Sequence, residues 1–391
     1  MAVIVQKYGG SSVADVQKIG HVADRVVAAK RAGNDVVVVV SAMGKTTDAL
    51  LALARQASTE PPRRELDMLV STGERVTMAL LSIAIHERGL GAISFTGSQS
   101  GILTNDRHFD ARIIEVRPHR IQDELARGRI VIVAGYQGMS YRREITTLGR
   151  GGSDTTAVAL AAALEAERCE IYSDVDGVYS ADPRVVPEAA HLPEIDLAVL
   201  AEMAESGAKV LNAQAVEWAR RNKIAIHARK TTDPVDGGRE TIARVDDEGR
   251  HVRAVVAASN VMLGRLDLAS LPGFLSLAGT LELTLGDVIA GGEHAFVHVP
   301  LLNVPDWTRC EREIDRALGG KLAFEGKQGV VSLVGHGLSG TSGVLARTLS
   351  VLAETGIRPR ALHAGPLRIS ATIDEASLPA AQRALHATFV G

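Results

Sequence analysis

The chain predicts an α/β fold, a mostly parallel sheet with flanking helices, followed by a smaller α+β region. Three observations predict it. Val36 to Val40 is an unbroken run of valine, which suits a strand covered on both faces, as in a parallel sheet. Similar apolar runs alternate with stretches of helical periodicity as far as about residue 230, the pattern of right-handed crossovers. After Lys230 the alternation gives way to polar residues and turn pairs.

The elements follow in order. Ala2 to Tyr8 is a short apolar run that breaks at Gly9-Gly10-Ser11-Ser12. Val13 to Ala32 has helical periodicity and stops at Gly33. The valine strand leads through Ser41-Ala42-Met43-Gly44-Lys45-Thr46-Thr47-Asp48 into another helix. The pattern then predicts a helix from about Glu65 to Arg88, a strand at Ala92–Thr96, a helix at Ala111–Ala126 and a strand at Ile130–Gly135. A Gly-rich loop precedes a helix at Ser153–Glu167. A strand at Glu170–Ser173, helices at Ala198–Gly207 and Ala213–Arg221, and a strand at Ile224–Arg229 complete the region. Ligands of such sheets bind beyond the carboxyl ends of the strands, where the Gly-rich and charged loops all fall. Thr231 to Arg250, with Asp233-Pro234 and Gly237-Gly238, reads as a linker. Beyond it, strands at Val330–Gly335 and Arg368–Ile373 and helices at Gly343–Glu354 and Pro379–Thr388 make one βαββαβ-like module. A blurrier series from Val261 to Phe324 makes another. The predicted divisions are 1–230, a linker at 231–250, and modules at 251–325 and 326–391.

A length of 391 residues calls for two or three domains. Aromatic residues are only 3% of the chain against 46% hydrophobic, so the cores are aliphatic. The formal charge of −3, with no basic stripe among aromatics, argues against a nucleic-acid partner. Cys169 and Cys310 have neither CxxC nor Cys/His spacing and read as buried thiols of a reducing compartment. Met1 to Lys7 lacks the regions of a signal peptide, and no run approaches the ~18 apolar residues of a membrane span. A cytoplasmic, membrane-free protein is expected.

The densest chemistry lies at Thr146 to Ala157, where Gly149, Gly151 and Gly152 bare the backbone just before an Ala-rich helix. A charged group can approach such N–H donors, and the helix N-terminus attracts anions. Ser153 or Asp154 can cap that helix, and Arg150 offers a fork for a carboxylate or phosphate. A plain turn with a helix cap is the alternative. Lys7 beside Gly9 and Gly10 suits a phosphoryl group, or is a surface lysine before a turn. Gly44-Lys45-Thr46 is not a P-loop, because the glycine required five residues earlier is Val39. Ser41 and Thr47 either bind a polar substrate or cap a helix. Glu74 either holds an ammonium or complements the helix dipole. Asp174, Tyr179 and Arg184 could wall a nucleotide, and Lys209 could reach its phosphates; a solvated loop and a helix-terminal lysine are the plain readings.

Taken together, these stretches resemble the aspartate kinases of the amino-acid kinase superfamily, most closely the actinobacterial type. The likeness rests on VQKYGGSSV from Val5, VVVVVSAMGKTTD from Val36, STGERV from Ser71, SFTGSQSGILT from Ser94, VIVAGYQG from Val131, TTLGRGGSDTTAVALAAAL from Thr146 and EIYSDVDGVYSADPRVVP from Glu170. It covers residues 1 to about 230. It implies a carbamate kinase-like sheet and ATP-dependent phosphorylation of the L-aspartate β-carboxylate, the first step toward lysine, threonine and methionine. In that reading Lys7 stabilises the transferring phosphoryl group, which the Gly9 and Gly10 amides line. Arg150, with Gly151, Gly152 and Ser153, clamps the substrate α-carboxylate, and Glu74 holds its ammonium. Ser41 and Thr47 address the β-carboxylate. Asp154 orients Lys7 or a Mg²⁺-bound water. Ser173, Asp174, Tyr179, Arg184, Lys209 and Val210 bind ATP. Other readings are a kinase for another acidic amino acid and a non-catalytic amino-acid-binding regulator.

Members of the family carry two ACT modules that pair and bind feedback amino acids. The second is recognisable in VVSLVGHGLSGTSGVLARTLSVLAETGI from Val330 and LRISATI from Leu367. The first departs from the pattern: Ser270-Leu271-Pro272-Gly273 lacks the acid of a D-x-P-G turn, and of the expected Gln-Asn pair only Asn303 stands as a candidate. Before Leu367 the chain reads His363-Ala364-Gly365-Pro366, where a Thr-Ser-Glu-type run is common in the family. The resemblance therefore implies weakened inhibition by lysine and threonine, and a homodimer or larger homo-oligomer.

Overall fold

The computed structural model describes residues 2–208, 211–234, 237–245, 252–340 and 342–391. The chain divides into two compact units: Met1–Val178, His191–Ala201 and Val210–Asp246 form the first, and Tyr179–Ala190, Glu202–Lys209 and Asp247–Gly391 the second.

The first unit is an eight-stranded sheet. From edge to edge the strands are Glu194–Asp196, Glu240–Arg244, Ile226–Lys230, Arg168–Ser173, Val3–Tyr8, Asp35–Val40, Ile130–Ala134 and Ala92–Phe95. All neighbours are parallel except Ile226–Lys230 with Glu240–Arg244. Val36 to Val40 are each 0% exposed, so the central strand is covered on both faces. The helices are α1 (Val16–Arg31), α2 (Thr46–Ala57), α3 (Arg63–Val70), α4 (Thr72–Glu87), α5 (His119–Ala126), α6 (Gly152–Ala163), α7 (Leu197–Glu205) and α8 (Ala213–Asn222). α1 and α4 pack their apolar residues on one face of the sheet, with Tyr8 and Tyr172 stacked beneath α1.

Several elements depart from the sequence prediction. The helix expected at Glu65–Arg88 is two helices broken at Ser71, whose carbonyl accepts a hydrogen bond from Gln137 Nε2 at 2.8 Å. Residues 63–87 contain an 18-residue window with a mean hydropathy of 1.4, which by length and composition alone is enough to cross a membrane. They serve here as part of the core, with Asp67 and Glu74 buried among them. The helix expected at Ala111–Ala126 is a strand, Ile113–Val116, followed by α5. Pro118 disfavours helical geometry at the residue before it, and β-branched Ile113, Ile114 and Val116 favour pairing. That strand belongs to a small second sheet with Ile102–Thr104, Gln137–Ser140 and Ile145–Thr147, which sequence reading does not predict. Part of the stretch read as a linker is the sheet strand Glu240–Arg244. Residues 235–236 and 246–250 of it lie outside the described residues.

The second unit holds a six-stranded antiparallel sheet with helices α9 (Leu271–Thr280), α10 (Trp307–Leu318), α11 (Ser342–Glu354) and α12 (Leu378–Phe389). Short strands were expected here. Instead Ala254–Asp267 and Leu322–Val334 run 14 and 13 residues and serve both modules. Residues 261–267, α9, Val288–Gly291, His294–Pro300, α10 and 322–328 complete one βαββαβ module. The second runs through 330–334, α11, Ala361–Ala364, Arg368–Asp374 and α12, and takes its remaining strand from residues 254–258, ahead of the first module. The change of module falls where the register slips between Ala258 and Val261, with Asn260 at φ 61°. Each module has its own aliphatic core.

Candidate active site

The alternation of a strand places Lys7 and Tyr8 on opposite faces of the sheet. Tyr8 goes under α1, and Lys7 meets the first turn of α6, where its Nζ lies 2.7 Å from Asp154 Oδ1. The two side chains are only 10% and 8% exposed, so the pair is held in a low-dielectric pocket. Gly9 follows two residues on: a Cβ there would stand 3.5 Å from the ammonium. Gly10 lets two strand-end loops touch, since a Cβ would meet the Ala42 carbonyl at 2.9 Å. Gly44 N–H donates to Gly10 O at 3.0 Å, which ties the loop of Ser41 and Thr47 to the glycine pair. Both hydroxyl residues are half-buried, and no side chain caps α2, so the capping alternative for them is not realised.

Glu74 sits in the first turn of α4 and is 2% exposed. Its Oε1 accepts from Ala42 N–H at 3.1 Å, while Oε2 is buried with no hydrogen-bond partner. Burial pushes the Glu74 carboxyl up to about 7, against a weaker downward pull from the backbone N–H groups. A buried carboxylate oxygen with no donor is costly, and the donor it lacks would be supplied by a bound cation or ammonium.

The Gly-rich loop turns through positive φ at Gly149 (73°) and Gly151 (76°). Gly151 is itself the N-cap of α6, and no side chain caps the helix; Ser153 and Asp154 lie within its first turn. The expected cap by either residue is thus not made, because Asp154 spends its carboxylate on Lys7. Ser153 is buried against Gly135. Arg150 is exposed and pairs loosely with Asp48 at 3.4 Å. Its carbonyl is held by Asn212 Nδ2 at 2.8 Å. The fold so gathers Lys7, Gly9, Gly10, Ser41, Thr47, Glu74 and the loop 149–154 at the carboxyl ends of adjacent parallel strands.

The expected nucleotide residues divide between the two units. Ser173 closes a tight turn with Val175, its Oγ accepting from Val175 N–H at 3.2 Å, and Asp174 stands exposed at the tip. Tyr179 and Arg184 belong to the second unit, where Arg184 forks onto Asp182 at 2.9 and 2.8 Å. Lys209 and Val210 lie outside the described residues.

Three residues at this site escape the sequence reading. Asn212 caps α8 by accepting from Gln214 and Ala215 N–H while holding the loop at Arg150. An Asn directly before a helical run was its available signal. Asp67 and Tyr136 are buried beside the loop, and an acid within the apolar pattern of α3 was the only hint of the first. Among the described residues, no three His, Cys, Asp or Glu side chains gather closely enough to hold a metal ion.

A buried lysine–carboxylate pair, bared amides at an uncapped helix start and an unmatched carboxylate make a place for an anionic group beside a charged small molecule. The amino acid kinase family model matches residues 2–229, and an ACT domain model matches residues 331–389. The chain is 43% identical to the aspartokinase of Mycolicibacterium smegmatis, an alignment covering 100% of this chain and 96% of that one. Its fold is similar to that of E. coli aspartokinase III in complex with aspartate and ADP (R-state), with a TM-score of 0.87 and 25% identity over 100% of both chains. The same enzyme in complex with lysine and aspartate (T-state) matches with a TM-score of 0.73 at the same identity and coverage. The chain belongs to the aspartokinases.

Proposed function

We propose that the protein transfers the γ-phosphoryl group of MgATP to the β-carboxylate of L-aspartate, giving 4-phospho-L-aspartate and ADP. The observation that carries this is Glu74. Its buried, partnerless Oε2 fits the α-ammonium of a free amino acid, which an N-acylated substrate lacks. Arg150 takes the α-carboxylate at the loop mouth, and Ser41 and Thr47 direct the β-carboxylate. That carboxylate is ionised near neutral pH, so no base is needed to make it a nucleophile. Phosphoryl transfer asks mainly for positioning and neutralisation, and Lys7 supplies the positive charge at the transferring group. Asp154 keeps the ammonium in place. The Mg²⁺ arrives on the nucleotide's phosphates. Ser173, Asp174, Tyr179, Arg184, Lys209 and Val210 are assigned to ATP.

The protein works in the cytoplasm, where the two buried thiols stay reduced, as a homodimer or larger homo-oligomer. The ACT modules take amino-acid effectors weakly, because the first lacks the acid before Pro272-Gly273; the Asn303 side chain lies outside the described residues. The test is hydroxamate formation from aspartate, ATP and hydroxylamine, with glutamate and N-acetylglutamate in parallel. Aspartyl hydroxamate is expected. Hydroxamate from N-acetylglutamate alone, or from none of the three, would sink the proposal.

A further inference from the structure

Two acids, Asp67 on α3 and Glu74 on α4, are seven residues apart and both buried, yet their surroundings are opposite. Glu74 keeps an unmatched oxygen. Asp67, 0% exposed, has every oxygen satisfied within the protein. It accepts from the Thr147 hydroxyl at 2.5 Å and from Phe109 N–H at 3.1 and 3.2 Å, and it meets His108 Nδ1 at 2.6 Å. Burial raises the Asp67 carboxyl, and these three partners oppose that rise. Thr147 ends a strand of the small sheet, three residues before Arg150, and its side chain also bonds to Tyr136. Tyr136 is 8% exposed and held at φ 69°, a conformation that a bulky residue keeps only when its surroundings enforce it. Its ring lies within electrostatic reach of both Glu74 and Arg150.

We propose that Asp67 is a positioning residue for the amino-acid substrate: through Thr147 and Tyr136 it fixes the distance between Glu74 on α4 and Arg150 on the Gly-rich loop. With the Gln137–Ser71 hydrogen bond, it ties the helices carrying the ammonium partner to the small sheet that leads into the loop carrying the carboxylate partner. Asp67 touches no substrate. Lys7 and the glycines of the phosphoryl site do not depend on it, so its effect falls on one substrate only. The inference rests on the aspartate reading above.

The test measures L-aspartate affinity by calorimetry, and the KM values for aspartate and ATP, on the full chain. Asp67→Asn and Thr147→Val each remove a charge-assisted hydrogen bond and are expected to weaken aspartate binding about tenfold or more, while the KM for ATP stays within about twofold. Thr147→Ser retains the hydroxyl and should restore wild-type affinity. If Asp67→Asn does not fold, the Thr147 pair decides alone. Equal losses for both substrates, no loss, or a Thr147→Ser as weak as Thr147→Val would overturn the inference. A wild-type chain that binds aspartate without phosphorylating it refutes the kinase reading, and the affinity ratio still decides this one. A wild-type chain that binds no aspartate overturns both.

Discussion

Glu74 is a residue whose cost to the fold is visible. Its carboxyl titrates near 7 when folded against an ordinary value of 4.5, so the folded chain binds the extra proton between those limits. Stability contributed by this group is therefore present at low pH and falls as pH rises from about 4.5 to 7. Glu74→Gln should raise the unfolding free energy at pH 8, by at most about 3 kcal/mol, and flatten its pH dependence in that window. Urea titrations at pH 5 and 8 check this, and an unchanged slope would contradict it. The same variant should lose aspartate affinity. In the wild type the KM for aspartate should climb as pH drops below about 7, because protonation removes the charge that receives the ammonium. Lys7 has the opposite character, since its charge is already paired with Asp154. Lys7→Ala should lower kcat by ~10²–10³, the range seen when one donor to developing charge is removed. Its far-UV circular dichroism should be that of the wild type. Near-normal turnover would reassign the phosphoryl site.

At the scale of elements, the Gly-rich loop is positioned by another helix's cap. Asn212 begins α8 and, with the same side chain, holds the carbonyl of Arg150 and accepts from Thr155. Asn212→Ala should cost about 1–2 kcal/mol of stability as a lost cap. It should also raise the KM for aspartate more than that for ATP, because Arg150 lies on the freed loop. Thermal unfolding and steady-state kinetics separate the two effects. The small sheet and the break between α3 and α4 belong to this scale as well. Neither is legible in the chain: the break at Ser71 is stabilised by Gln137, 66 residues away. Hydrophobic periodicity runs straight through such a break, since Leu66, Val70, Leu81 and Ile85 all remain on buried faces.

At the scale of the whole molecule, the second unit folds both of its modules, although only residues 331–389 match the ACT model. Folding there depends on aliphatic cores, which survive the loss of one acidic turn residue. In the proposed reading, effector binding depends on that turn. Lysine plus threonine at millimolar concentration should therefore inhibit initial rates only weakly, and strong joint inhibition would refute the weakened-regulation reading. The chain order of the modules was legible, but not the exchange of strand 254–258, because a long strand and two short ones have the same residue pattern.

The parts that could be read from the chain were those decided by near neighbours. Five successive valines require a doubly covered strand, and glycines at 149 and 151 permit the turn that bares an amide-lined helix start. The lysine, the glycines and the glutamate could be singled out because each carries its signal within a few residues. Folding alone decided which acid is left open to a ligand and which is closed. Glu74 and Asp67 are both acids in neighbouring helical turns, and they differ only in partners that lie 41 and 80 residues away for Asp67 and are lacking for Glu74 Oε2. Whether a buried charge is satisfied depends on what the rest of the chain brings to it, and no local pattern records that.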